Sequence, residues 1–141
     1  MNLFFDTSAL IKKYIDEKGS DKVDELFNNA ENIYVSNITE IETLSTFKRL
    51  QIENEITEEE YLNLKKEIDI DFNSFEILEL DYEIINCSKE VIDKYQLKSL
   101  DSIQLGSLLV IKEIIDYFIV CDKKLLEAGK KEKINTINPN E

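Results

Sequence analysis

Asp6, Glu42, Asp101 and Asp122 are the residues of this chain whose types and positions point to chemistry. Asp6 directly follows the apolar run Asn2 to Phe5, and Asp122 follows Phe118 to Cys121. An acid placed directly after a buried strand stands at the strand's carboxyl end, the rim where open α/β sheets hold their ligands. Asp101 opens the apolar segment Ser99 to Ile115, where an inward-facing acid costs several kcal/mol unless it is paired or metal-bound. Glu40 and Glu42 compete for the fourth position. Ile38, Glu42 and Ser45 share one helix face at spacings of four and three, whereas Glu40 falls on another, which favours Glu42. The chain has no histidine. A metal bound here is therefore held by oxygen, which selects Mg²⁺ or Mn²⁺ over zinc, and a serine or cysteine nucleophile lacks its usual imidazole base. Four carboxylates can hold one or two such ions, which activate water and stabilise the leaving oxygen of a phosphodiester.

Each of these acids also has a structural reading. Asp6, Ser8 and Asp122 precede helices and are of N-capping type. Thr39 to Glu42 reads as a Thr-x-x-Glu capping box, which would make Glu42 a cap rather than a ligand. Cys87 and Cys121 lack the spacing of a zinc or redox motif and are expected to be reduced and buried, with Cys121 on the strand face opposite Asp122.

The elements that must position these residues follow from periodicity. Strand-like runs occur at Asn2 to Phe5, Ile33 to Val35, Phe75 to Leu80, Phe118 to Cys121 and Ile134 to Ile137. Helical patterns fill the intervals: one from Ser8 through Tyr14, broken at Gly19 and resumed at Val23; then Ser36 to Leu50, Thr57 to Ile70, Asp81 to Lys94, Ser99 to Ile115 and Lys123 to Lys130. This alternation predicts a single α/β domain over residues 1–141, with a central parallel sheet of about five strands covered by helices on both faces. Pro139 and the residues after it read as a frayed tail.

Composition sets the partners. The apolar stretches are too short to span a bilayer, and Met1 runs straight into a strand with no cleavable leader, so the expectation is a cytoplasmic protein with no membrane role. The net charge of −13, from 17 basic and 30 acidic residues, argues against a nucleic-acid partner unless the bases gather locally. Lys123, Lys124, Lys130, Lys131 and Lys133 follow Asp122 and supply such a cluster. Phe47, Leu50, Ile52 and Tyr61 exceed what one small core needs and suggest a two-fold homodimer.

Together these segments resemble the PIN-domain nucleases, and in particular the VapC-like toxins of toxin-antitoxin pairs, over nearly the whole length. Phe5-Asp6-Thr7-Ser8-Ala9-Leu10-Ile11-Lys12, with Gly19-Ser20, resembles the family's first motif. Ser36 through Glu42 to Arg49-Leu50 resembles the second, in a register that puts its acid at Glu42. Leu97 to Leu105 resembles the third, with its acid at Asp101, and Phe118 to Asp122 with Lys124-Leu125 and Asn138-Pro139 resembles the closing segments. Gln104 stands where many members have His, and Val120 where many have Thr or Ser. The resemblance implies a Mg²⁺- or Mn²⁺-dependent endoribonuclease with Asp6, Glu42, Asp101 and Asp122 as catalytic metal ligands, supported by Thr7 and Ser8. It also implies an RNA substrate and a small cognate antitoxin. Two other classes stay open at this point. One is phosphoryl transfer through an aspartyl phosphate, which would lead to a second Asp where this chain has Ser8; the other is a non-catalytic binding or scaffold module that keeps its acids as caps.

Overall fold

The structure is a computed structural model describing residues 1–141. In chain order its elements are β1 (Asn2–Phe5), α1 (Thr7–Leu10), α2 (Ser20–Asn29), β2 (Asn32–Ser36), α3 (Ile38–Ile52), α4 (Glu58–Phe72), β3 (Glu76–Leu78), α5 (Tyr82–Tyr95), α6 (Ser99–Val110), β4 (Tyr117–Ile119), α7 (Lys123–Lys131) and β5 (Thr136–Ile137). Short 3₁₀ turns at Ile11–Lys13 and Lys112–Ile114 extend α1 and follow α6. The strands form one sheet in the order β3-β2-β1-β4-β5, and every pairing is parallel.

Burial of β1 on both faces explains its unbroken apolar sequence. Leu3 and Phe5 point to one side and join Ala9, Leu10, Val23, Leu26, Phe47 and Ile68, so α1 to α4 cover that face. Phe4 points to the other and meets Phe118, Val120, Val91, Leu105, Leu108 and Leu125 under α5, α6 and α7. The period-2 alternation of a strand thus divides the core into two layers. On the second layer α5 and α6 approach so closely that a Cβ on Gly106 would lie 2.4 Å from Ser88 Oγ and 2.9 Å from the Ser88 backbone nitrogen.

The chain travels outward from β1 through β2 to β3, then returns to the other side of β1 through β4 to β5. The reversal places a crevice at the carboxyl ends of β1 and β4, the position at which open α/β sheets bind ligands. Asp6 and Asp122 follow those two strands.

Several expectations are corrected. The first helical pattern is two helices, because Gly19 adopts φ 94° and starts α2 after a loop. The tail is not frayed: Pro139 is buried, and a Cβ on Gly19 would come within 3.0 Å of the Pro139 carbonyl oxygen. Thr39 lies inside α3, fully buried, and the helix begins after Asn37, so no Thr39–Glu42 capping box forms. The box in this chain is Thr57 with Glu60, each side chain bonding the other's backbone N–H at 3.0 Å. Phe47 is a core residue and Tyr61 packs against the same layer, which leaves Ile52 as the clearly exposed member of the four apolar residues noted for pairing. Both cysteines are free and half-buried, and Cys121 lies past the end of β4 rather than within it. No helix is long and apolar enough to cross a membrane.

Candidate active site

A cleft of about 460 Å³ opens at the crevice, and Asp6, Glu42, Asp101 and Asp122 all line it. Each arrives on a different element. Asp6 follows β1 and caps α1; Glu42 sits in the second turn of α3; Asp101 lies in the first turn of α6; Asp122 caps α7. Glu40 is not among the lining residues, so the face argument for Glu42 holds.

Asp6 is the most enclosed of the four, only 5% exposed. Its Oδ2 accepts from the Ser8 backbone N–H at 3.2 Å and from Ser8 Oγ at 2.5 Å. Ser8 Oγ in turn accepts from the Cys121 N–H at 3.2 Å, tying the end of β1 to the segment after β4. Burial pushes the Asp6 carboxyl up to about 7 against the pull of the Ser8 hydrogen bond, and the charges of Glu42 and Asp101 push the same way. Asp101 is half-buried and also held above the ordinary carboxylate range, first by burial and then by Asp122 and Glu42; Lys98 and Lys124 oppose the rise. The acids therefore act on one another electrostatically across the cleft.

Glu42 is held by a separate set of donors. Thr7 Oγ1 donates to its Oε1 at 2.8 Å, and Gln104 Nε2 donates to the same oxygen at 3.1 Å. Gln104 also reaches Thr39 Oγ1 at 2.9 Å, which places α6, α3 and α1 in one polar cluster beneath the cleft. Thr7 and Ser8 thus each hold a different acid. Asp122 Oδ1 accepts from the Leu125 N–H at 2.9 Å as the cap of α7. The capping and cleft-lining readings of Asp6 and Asp122 are both correct, because a carboxylate has two oxygens and a cap uses one.

The second oxygens decide what the site can bind. Asp6 Oδ1, Glu42 Oε2, Asp122 Oδ2 and both Asp101 oxygens make no protein hydrogen bond, and none is a sealed, unpartnered atom. Hard oxygen donors with free lone pairs, in a cleft without imidazole or thiolate, match Mg²⁺ or Mn²⁺ chemistry. As the side chains stand, no three of them form a ready-made ligand group. Mutual repulsion keeps like charges apart, and an ion that retains several waters requires only one or two direct carboxylates.

Cys121 is no rival nucleophile, because burial raises its thiol to about 11 and keeps it protonated at neutral pH. Val120 is fully buried against the α6 and α7 layer. Thr39 and the anchoring role of Gln104 were not read from the sequence. An amide three residues after Asp101 in an otherwise apolar helix was the available signal.

Residues 3–131 match the PIN domain family. The chain belongs to that family. As a PIN domain it has close structural counterparts of low sequence identity. A toxin-antitoxin complex from Klebsiella pneumoniae aligns with a TM-score of 0.71 at 19% identity, over 97% of both chains. FitAcB from Neisseria gonorrhoeae aligns at 0.73 and 15%, again over 97% of both. VapC20 of Mycobacterium tuberculosis, a toxin that cleaves the sarcin-ricin loop, aligns at 0.66 and 14%, over 90% of this chain and 95% of that one. At these identities the likeness establishes the fold. A sequence comparison with curated proteins finds no match. Membership in the PIN family sets aside the aspartyl-phosphate alternative.

Proposed function

We propose that this PIN domain is a Mg²⁺- or Mn²⁺-dependent endoribonuclease and the toxin of a toxin-antitoxin pair. The observation that carries the reading is the convergence of Asp6, Glu42, Asp101 and Asp122 from four elements on one cleft, each with an uncommitted oxygen. The structural likeness to a sarcin-ricin-loop-cleaving toxin supports it. Bound divalent ions would supply an activated water and charge neutralisation at the leaving oxygen of the phosphodiester. The chain's own residues prepare for this. Ser8 fixes the Asp6 carboxylate, Thr7 and Gln104 fix Glu42, and the α7 cap fixes Asp122, so the acids enter the reaction with restricted orientations. The test is a panel of structured and single-stranded RNAs incubated with wild type and Asp6→Asn, with and without Mn²⁺. Cleavage by wild type in Mn²⁺ alone is expected, and equal cleavage by Asp6→Asn refutes the assignment.

The same reading includes an antitoxin and a pairing of two copies in the cytoplasm. An acidic cleft of this kind is closed by an Arg or Lys inserted among the carboxylates, where charge-assisted hydrogen bonds replace the metal. Toxin-antitoxin complexes among the structural counterparts support such a partner. Co-expression with the product of a neighbouring short reading frame should give a complex with reduced RNase activity. Light scattering at tens of micromolar should give the mass of a homodimer.

A non-catalytic binding module is the second reading, favoured by the caps that Asp6 and Asp122 do form and by the net charge of −13. Mn²⁺ separates the two. A ligand site raises the melting temperature on adding the ion, and caps alone do not.

A further inference from the structure

Beside the acidic cleft lies a second concavity, of about 640 Å³, with the opposite charge. Lys94 from α5 forms one wall and Lys123, Lys124 and Lys131 from α7 form the other, with Glu127 as the only acid among the lining residues. In a chain with 30 acidic and 17 basic residues, four bases to one acid is a strong local inversion. Lys123, Lys124 and Lys131 form no ion pair at all; only Lys94 does, with Glu132 at 2.8 Å. Lys124 is oriented by donating to the Gln96 carbonyl at 2.7 Å, a residue held in the left-handed region at φ 54° where α5 ends. The groove adjoins the cleft: Lys123 follows Asp122 in the chain, and the charge of Lys124 reaches Asp101. The structure also sorts the basic cluster seen in the sequence, because Lys130 does not line the groove and is paired with Glu127 at 3.8 Å, and Lys133 lines a different surface.

We propose that this groove holds the phosphate backbone of a single RNA strand on one side of the bond to be cut. The proposal rests on reading the acidic cleft as the nuclease centre and adds the track by which the substrate reaches it. Three unpaired lysines on α7 facing the paired Lys94 across a recess suit one strand rather than the two separated rails of a duplex. They also answer the charge objection. The phosphates meet a local basic surface while the remaining acids repel the chain from other faces, which confines the strand to the path leading into the cleft.

The test is fluorescence anisotropy of a short labelled single-stranded RNA bound to the full chain in EDTA, where no cutting occurs, across a range of KCl. Each lost phosphate contact on a single strand lowers the slope of log K against log[salt] by about 0.7. Lys123→Gln with Lys131→Gln removes two exposed, unpaired charges and should flatten the slope by about 1.4. Arg at both positions should restore it, and Lys130→Gln should leave it unchanged. An unchanged slope in the double Gln variant, or an equal loss from Lys130→Gln, overturns the proposal, the latter by showing diffuse attraction. Binding of poly-glutamate with no response to RNA overturns it in favour of an acidic protein partner. Failure of the nuclease reading is read separately, as absence of Mn²⁺-dependent cleavage by a wild type that still binds RNA through these lysines.

Discussion

Replacing Asp6 by Asn should make the metal-free protein more stable at neutral pH, and the size of the gain follows from the burial of that carboxyl. Its pKa lies at about 7 in the folded chain against an ordinary value of 3.8. Between those values the folded state carries a proton that the unfolded state has released, so stability falls as pH rises through that window. Below about pH 4 both states are protonated and no penalty exists; above about pH 7 the penalty is complete. At 1.36 kcal/mol per unit, the shift corresponds to roughly 4 kcal/mol, or on the order of 10 °C in melting temperature for a domain of this size. Asn keeps an oxygen to accept from the Ser8 N–H and hydroxyl, so the cap survives and only the charge is lost. The assay is thermal melting of wild type and Asp6→Asn in EDTA at half-unit intervals from pH 4 to 8. The curves should coincide near pH 4 and separate progressively toward pH 8, with the variant above. Adding Mn²⁺ at pH 8 should then raise wild type and leave the variant nearly unmoved, because the ion binds the ionised carboxylate. Parallel melting temperatures across the whole range would refute the placement of a buried, repelled carboxyl at this position.

Glu42→Gln should reduce RNA cleavage more than about 100-fold, beyond the range typical of a supporting group, while Glu40→Gln stays near wild type; the reverse order in a cleavage time course would overturn the assignment. Gln104→Leu should lower activity about 10–100-fold with little change in melting temperature. It removes the amide that orients Glu42 but also a buried Oε1 that has no partner, so the stability effects offset. Gly106→Ala should destabilise by about 1–3 kcal/mol in urea titration, since the added methyl meets the Ser88 backbone as well as its hydroxyl. Ser88→Ala should not rescue it.

The sequence by itself determined the layered α/β plan and the rim positions of Asp6 and Asp122. Both depend on local signals: an apolar run long enough to be a buried strand, followed at once by an acid that caps the next helix. Period-2 alternation in β1 and the face shared by Ile38, Glu42 and Ser45 are likewise properties of neighbouring residues. Tertiary structure decided the rest. Thr39 and Glu42 have the spacing of a capping box, yet α3 starts before Thr39, and the partners of Glu42 are Thr7 and Gln104, 35 and 62 residues away. Phe47 and the lysines after Asp122 look alike within their segments until packing assigns Phe47 to the core and separates Lys123, Lys124 and Lys131 from Lys130. Pro139 reads as a tail until Gly19, far from it in sequence, gives it a surface to lie against. Short-range periodicity fixes which face of an element is apolar; which residues from distant elements meet across that face depends on how the elements pack, and no local pattern encodes it.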